Sequence, residues 1–310
     1  MDSVKSLALV IVLAARVAAA DPGAGSAAAE VHDSWFDKRV SAISVGGVYA
    51  AVGTYAWFAW FNGAATKPFY FETPDWGHEN PFALRGYAGG ADKWGHAWAN
   101  YVMVRGTTEL LVAGGWKKLP SSLVAGGIAE TLFAMQEVKD GHIWGFEIGD
   151  MAMDVAGAAL GVAMENLPEV DRMLDFRMRW WPSSDFRRLW RAHPWSRGDG
   201  VDFTQDYTGM TFQLALHLGP VIGSDVDELW WTPYVDVVAG FETRGYEPAQ
   251  AAPMYSPYQT YYLGVGVNVQ GIIDRFASGK LRSVGHGITE VWALPYQTLR
   301  LEQGRRTWSR

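Results

Sequence analysis

The chain changes its rhythm about two thirds of the way along. Three stretches, Ala91 to Gly114, Pro120 to Lys139 and Glu147 to Asn166, are apolar on one side and carry acidic or imidazole groups on another, the signature of packed helices. Pro120 with Ser121 and Ser122, and the glycines Gly114, Gly115 and Gly141, punctuate them as start and stop signals do. Ahead of them, Val40 to Gly63 runs without one charged side chain and ends in Tyr55, Trp57, Phe58, Trp60 and Phe61. Its length suffices to cross a bilayer of about 30 Å, so it is expected to be a transmembrane helix, the alternative being a buried helix of a bundle. After Gly198 the period becomes two. Met210, Phe212, Leu214, Leu216 and Leu218 alternate with Thr211, Gln213 and His217, and Tyr261, Leu263, Val265, Val267 and Val269 oppose Thr260, Tyr262, Asn268 and Gln270. Trp231 to Thr243 and Gly287 to Leu301 are less regular strand candidates.

The expected fold is therefore α+β: an N-terminal bundle of about four helices over 35–170, then a small antiparallel sheet over 201–310. About four strands are too few to close a transmembrane barrel. Between the two, residues 171–200 read as an Arg/Trp-rich connector. Arg172 to Arg197 holds seven arginines against Asp175 and Asp185, interleaved with Phe176, Trp180, Trp181, Phe186, Trp190 and Trp195. Such a segment suits a membrane surface, where guanidinium meets lipid phosphate, or packs its rings on the bundle. At the N-terminus, an apolar run at residues 7 to 15 followed by Ala18-Ala19-Ala20 predicts a signal peptide over 1–20, or an uncleaved anchor, with a flexible tether over 21–34.

Composition narrows the class. Sixteen tryptophans favour a place where one edge of the ring is apolar and the other wet. A net charge of -7 argues against a nucleic-acid partner. The absence of cysteine removes thiol nucleophiles, disulfides and thiolate metal sites. The chain also lacks the phosphate-cradling Gly-x-x-x-x-Gly-Lys-Ser/Thr loop, His-Glu-x-x-His and the Gly-x-Ser-x-Gly elbow.

What chemistry remains is polar groups on apolar helices. Asp92, His96 and Asn100 recur every four residues and share a helix face, with Asp92 also placed to cap it. Glu130, Glu137 and Asp140 lie on the next helix, and Asp150 and Asp154 on the one after. Facing inward, these helices would gather an imidazole and several carboxylates. Carboxylates held close cannot all ionise, so one becomes a general acid unless Lys93 or a divalent cation neutralises them. The candidate catalytic residues are His96, Glu130, Glu137, Asp140 and Asp150. The candidate ligands of a divalent cation are His96, Glu137, Asp140, Asp150 and Asp154. Asp92, Lys93, Asn100 and Gly157 are read as structural. The competing reading is a hydrogen-bonded network that fixes helix packing.

Three segments together, Asp92-Lys93-Trp94-Gly95-His96, Gln136-Glu137-Val138-Lys139-Asp140-Gly141 and Gly145-Phe146-Glu147-Ile148-Gly149-Asp150 with Asp154 and Gly157, resemble the YfiM-like family of predicted bacterial envelope lipoproteins, a domain of unknown function. More distantly they resemble the VanZ-like membrane proteins, which share an Asp-Lys-x-x-His opening and a later Asp-x-x-x-Asn-x-x-Gly. The resemblance covers about residues 85 to 165. Two departures stand out: the chain has no Cys for a lipid anchor, and Asp154 occupies the position of Asn, adding a negative charge. The resemblance implies an exported, membrane-associated protein of the bacterial cell envelope facing the periplasm, and it implies no reaction. The expected partners are the lipid surface and an envelope protein docked through the β region. Function is expected to be binding or processing of a lipid-linked or cell-wall component, or else non-catalytic scaffolding.

Overall fold

The computed structural model describes residues 36–61, 63–72, 76–192, 203–223, 229–246 and 256–307. The expected signal peptide and tether lie outside these residues. Helices come first: α1 (Lys38–Ala56), prolonged by a π-helical turn (Trp57–Phe61), then α2 (Ala91–Ala113), α3 (Lys118–Asp140), α4 (Ile148–Asn166) and the short α5 (Pro168–Met173). The strands β1 (Leu174–Trp180), β2 (Met210–His217), β3 (Val235–Arg244), β4 (Tyr258–Val267) and β5 (Thr298–Thr307) form one antiparallel sheet in sequential order. Between them lie α6 (Ser184–Ala192), α7 (Leu218–Ile222), α8 (Val269–Phe276) and α9 (Gly279–Val291).

Helix α2 is the axle of the molecule. Trp98, Tyr101, Val102, Met103 and Val104 are buried on it, between α3 and α4 on one side and Phe176, Met178, Met210, Phe212 and Phe241 of the sheet on the other. Small residues let the helices close up. A Cβ at Gly157 would overlap the Ala97 carbonyl oxygen, and one at Gly161 would press on Val104. Two polar ties then fix the bundle to the C-terminal half. The Trp98 indole donates to the Val291 carbonyl at 2.9 Å, and buried Arg105 pairs with Glu165, Asp171 and Glu290.

The membrane-spanning expectation is corrected. Among the described residues no helix is long and apolar enough to cross a membrane. The α-helical part of α1 stops at Ala56, and Ser41, Ser44, Thr54 and three glycines dilute its hydropathy. Its Ser41, Val45, Tyr49, Val52 and Ala56 face is buried instead, with the Tyr49 hydroxyl 3.1 Å from that of Thr107.

The 171–200 segment departs from a connector as well, because it contains β1. Arg177 is 1% exposed and pairs with Asp175 and, at 2.8 Å, with Asp236. The Arg177 charge serves the interior of the sheet, while Arg172, Arg187, Arg188 and Arg191 of the same segment are exposed. Gly287 to Leu301, expected as strand, is the end of α9 and the start of β5.

The sheet buries both faces. The apolar one is covered where Phe176, Phe212 and Phe241 meet α2 and is exposed beyond them at Leu214, Leu263, Val265 and Leu299, while the polar set Asp175, Arg177, Thr211, Gln213, His217, Asp236, Glu242 and Tyr262 is interior as well. Gly240 permits this, since any Cβ there would strike the Tyr262 ring, whose hydroxyl accepts from Gln213 at 2.7 Å. Helix α8 closes the polar face through Gln270, which accepts from Arg177 at 3.1 Å.

Candidate functional site

The start of α2 is set by backbone that only special residues tolerate. Gly89 and Gly90 adopt positive φ of 63° and 82°, and the Gln259 side chain donates to the Gly89 carbonyl at 2.9 Å. The N-cap position is Gly90, so Asp92 does not cap the helix. Two residues further on, in the first turn, it lies buried, favoured by the helix dipole and accepting a hydrogen bond from the Tyr207 hydroxyl.

Around it the bundle gathers charge. Lys93, almost wholly buried, pairs with Asp150 at 2.7 Å, with Asp92 at 3.5 Å and with Glu147. His96 stands between two aspartates of α4: Nδ1 lies 3.0 Å from Asp154 Oδ1 and Nε2 lies 3.7 Å from Asp150 Oδ2. Asp154 is fully buried and also accepts from Asn100 Nδ2 at 2.6 Å, so it holds the imidazole in one orientation. The ring of Phe133 packs against the imidazole with centroids 5.7 Å apart. Ligating atoms of Asp92, His96 and Asp150 all lie within 4.8 Å of one another.

The remaining candidates stand around this trio. Glu137 is buried; desolvation, with Asp150 adding repulsion, pushes it up to about 9. Burial likewise raises Asp140 to about 7, and burial with the charge of Asp154 raises Glu130 to about 7. Burial drives Asp150 well above the carboxylate range. Burial opposes charge on His96, but Asp150 and Asp154 outweigh it and hold the imidazole well above its ordinary range. Lys93 is raised in the same way, its desolvation overcome by Asp150, Asp92 and Glu147. Asp154 Oδ2, Glu130 Oε1 and Asn100 Oδ1 are among the oxygens of the group that are buried with no hydrogen-bond partner among the described residues.

The structure thus sets His96 between Asp150 and Asp154, keeps Glu137, Asp140 and Glu130 within electrostatic reach, and adds Asp92 beside His96 and Asp150 in the tight trio. The sequence sets Asp92 on the His96 face, one helical turn before it, but assigns it a structural role, and it gives Glu147, Tyr207 and Tyr87 no role in the centre. No helical spacing reaches Tyr207, because it comes from beyond the first strand of the sheet. Its ring meets Tyr87 edge-on at 5.8 Å.

These features define a class: a helical bundle docked on an antiparallel sheet, with a secluded imidazole–carboxylate centre at the start of its central helix. Residues 78–166, which hold the whole centre except Tyr207, match the model of a family described as "Predicted periplasmic lipoprotein (DUF2279)". The match covers less than a third of the chain. It agrees with the localisation expected from the sequence, an exported envelope protein facing the periplasm. No curated protein and no solved structure matches the chain.

Proposed function

We propose that this envelope protein carries a divalent-cation centre formed by His96, Asp92 and Asp150, which binds or processes a lipid-linked or cell-wall component. The observation that carries the reading is the orientation of His96. A carboxylate on Nδ1, itself anchored by an amide, leaves Nε2 facing Asp150, with ligating atoms of Asp92, His96 and Asp150 within 4.8 Å of one another, the arrangement in which an outer carboxylate orients a metal-ligating imidazole. One imidazole with carboxylates suits Zn²⁺ or Mn²⁺. Charge supports it too. Acids outnumber bases in the cluster, and a divalent cation would offset several of them where protons must otherwise do so. Glu137 and Asp140, both raised toward or beyond neutrality, stand as proton donors beside the cation.

The lipid partner rests on the outer surface of the bundle. Ile43, Trp57 and Phe58 of the α1 segment and Leu123, Val124 and Met135 of α3 are exposed. Lys38, Arg39, Lys117 and Lys118 gather at one end of these helices, where the Trp116 indole donates to the Lys38 carbonyl. At the other end Lys139 lies over the Trp57 ring at 5.4 Å. An apolar strip with cationic ends suits an anionic bilayer surface. Flotation with phosphatidylglycerol vesicles, abolished in Lys117→Glu/Lys118→Glu and absent with phosphatidylcholine, is the expected result; equal flotation with both lipids would remove this part.

A second reading is favoured by one observation: the Lys93 ammonium already sits among Asp92, Glu147 and Asp150 as an internal counter-cation. The centre would then be a packing network of a scaffold protein. Complementation of a deletion strain separates the two. His96→Ala and Asp150→Asn that fold and localise yet fail to complement support the cation centre. Variants that complement in full, or fail only in proportion to lost thermal stability, support the scaffold.

A further inference from the structure

The sheet's polar interior is not filled to its end. A cavity of about 340 Å³ opens where β1, β2 and β3 meet α6, lined by Arg179, Arg187 and Arg244 with the hydroxyl side chains of Ser183, Ser184 and Thr208, and by no acidic residue. Beneath it, Glu242 is shared among three guanidiniums: Arg300 at 2.6 and 2.8 Å, Arg244 at 2.7 Å and Arg179 at 3.6 Å. A single carboxylate cannot neutralise this many cations, and each guanidinium has five N–H donors to satisfy. Arg179 Nε is buried with no hydrogen-bond partner among the described residues. Burial also holds the Arg179 pKa below its ordinary value, with Arg244 and Arg300 adding repulsion. Arg187, from α6, donates to the Pro182 carbonyl at 2.9 Å and is otherwise exposed at the opening.

We propose that this hollow binds a phosphoryl group, carried by a small phosphorylated molecule or by a phospholipid headgroup. Guanidinium forks match phosphate oxygens in pairs, and hydroxyls complete the donor set. The volume admits the phosphoryl group with a glycerol or a sugar attached, near the lower bound of ligand pockets. The site shares no residue with the His96 centre and stands whether or not that centre holds a cation. It does adjoin it: Thr208 and Gly209 in the cavity wall follow directly on Tyr207, whose hydroxyl donates to Asp92.

The test is calorimetric titration of the full chain with inorganic phosphate, and separately with sn-glycerol 3-phosphate. The comparison is among the parent, Arg187→Ala and Arg244→Ala. Arg172→Ala, an exposed arginine of α5 outside the cavity, controls for net charge. Saturable binding at one equivalent is expected, weakened by roughly tenfold to a hundredfold in Arg187→Ala, the worth of one charge-assisted contact, and unchanged in Arg172→Ala. Arg187 is exposed, so its variant keeps the parent's melting temperature even if Arg244→Ala does not. Absence of saturable binding in the parent, or equal weakening by Arg172→Ala, overturns the proposal. Displacement of bound phosphate by phosphatidylglycerol vesicles, lost in Arg187→Ala, assigns the site to a headgroup; displacement by sn-glycerol 3-phosphate alone assigns it to a free small molecule.

Discussion

Raising the pH should loosen the sheet through one histidine. His217 is 4% exposed; its Nδ1 lies 2.7 Å from Asp236 and its Nε2 3.0 Å from Asp175, the same two carboxylates that hold Arg177. Two cations then balance two anions in the interior, and loss of the imidazolium proton leaves an uncompensated charge. Burial opposes protonation, but the hydrogen bonds to Asp175 and Asp236 prevail and raise the pKa from 6.5 to about 9. Because the folded value lies above the unfolded one, the stabilisation is complete below pH 6.5 and disappears as pH climbs through 9. A displacement of this size corresponds to about 3 kcal/mol, a large share of a typical domain's stability. Glu137 titrates in the same window with the same sign, so the informative quantity is the difference between the parent and His217→Gln. Urea denaturation of both at pH 6.5 and at pH 9 measures it. The parent should lose about 3 kcal/mol more than the variant across that interval. Equal losses in the two proteins would refute the reasoning.

Glu137→Gln should stabilise the metal-free chain at neutral pH. With its pKa raised from 4.5 to about 9, burying the acid requires a proton that the unfolded chain releases, and glutamine removes that cost; a gain of up to about 3 kcal/mol in urea denaturation with chelator present is expected, and a loss would contradict it. Gly157→Ala should lower stability by about 1–3 kcal/mol or more, because its methyl meets the Ala97 carbonyl on α2; an unchanged melting temperature would show that the helices can part. Arg105→Ala leaves Glu165, Asp171 and Glu290 around a vacated cation and should cost about 3–5 kcal/mol, read by the same denaturation.

How much of this was legible in the sequence depended on the periodicity involved. Helices α2, α3 and α4 begin and end within about two residues of the expected bounds, because glycines and an early proline punctuate an unambiguous helical period. The same period placed Asp92, His96 and Asn100 on one face. Which faces turned inward was another matter. Alternation in β2 separates Thr211, Gln213 and His217 from Phe212 and Leu214 but is silent on whether the polar set is buried too; partners distant in sequence, such as Asp236, Gln270 and Tyr262, are what make it stable inside. β1 escaped notice for a related reason. Arg177 and Arg179 give it a basic surface character that becomes interior once Asp175, Asp236 and Glu242 surround it. The uncharged run at Val40 had bilayer length, yet much of its apolar surface is spent on packing against α2.

The claim on which the account turns is that His96, Asp92 and Asp150 together hold a divalent cation. Titration of the chelator-treated full chain with Zn²⁺ and with Mn²⁺, followed by calorimetry, tests it most directly. One equivalent of at least one of these ions should bind with release of protons from the cluster, and His96→Ala and Asp150→Asn should lose that binding while keeping the parent's circular dichroism. Failure of the parent to bind either ion, or retention of the same equivalent by both variants, would contradict the account and leave Lys93 as the cluster's cation.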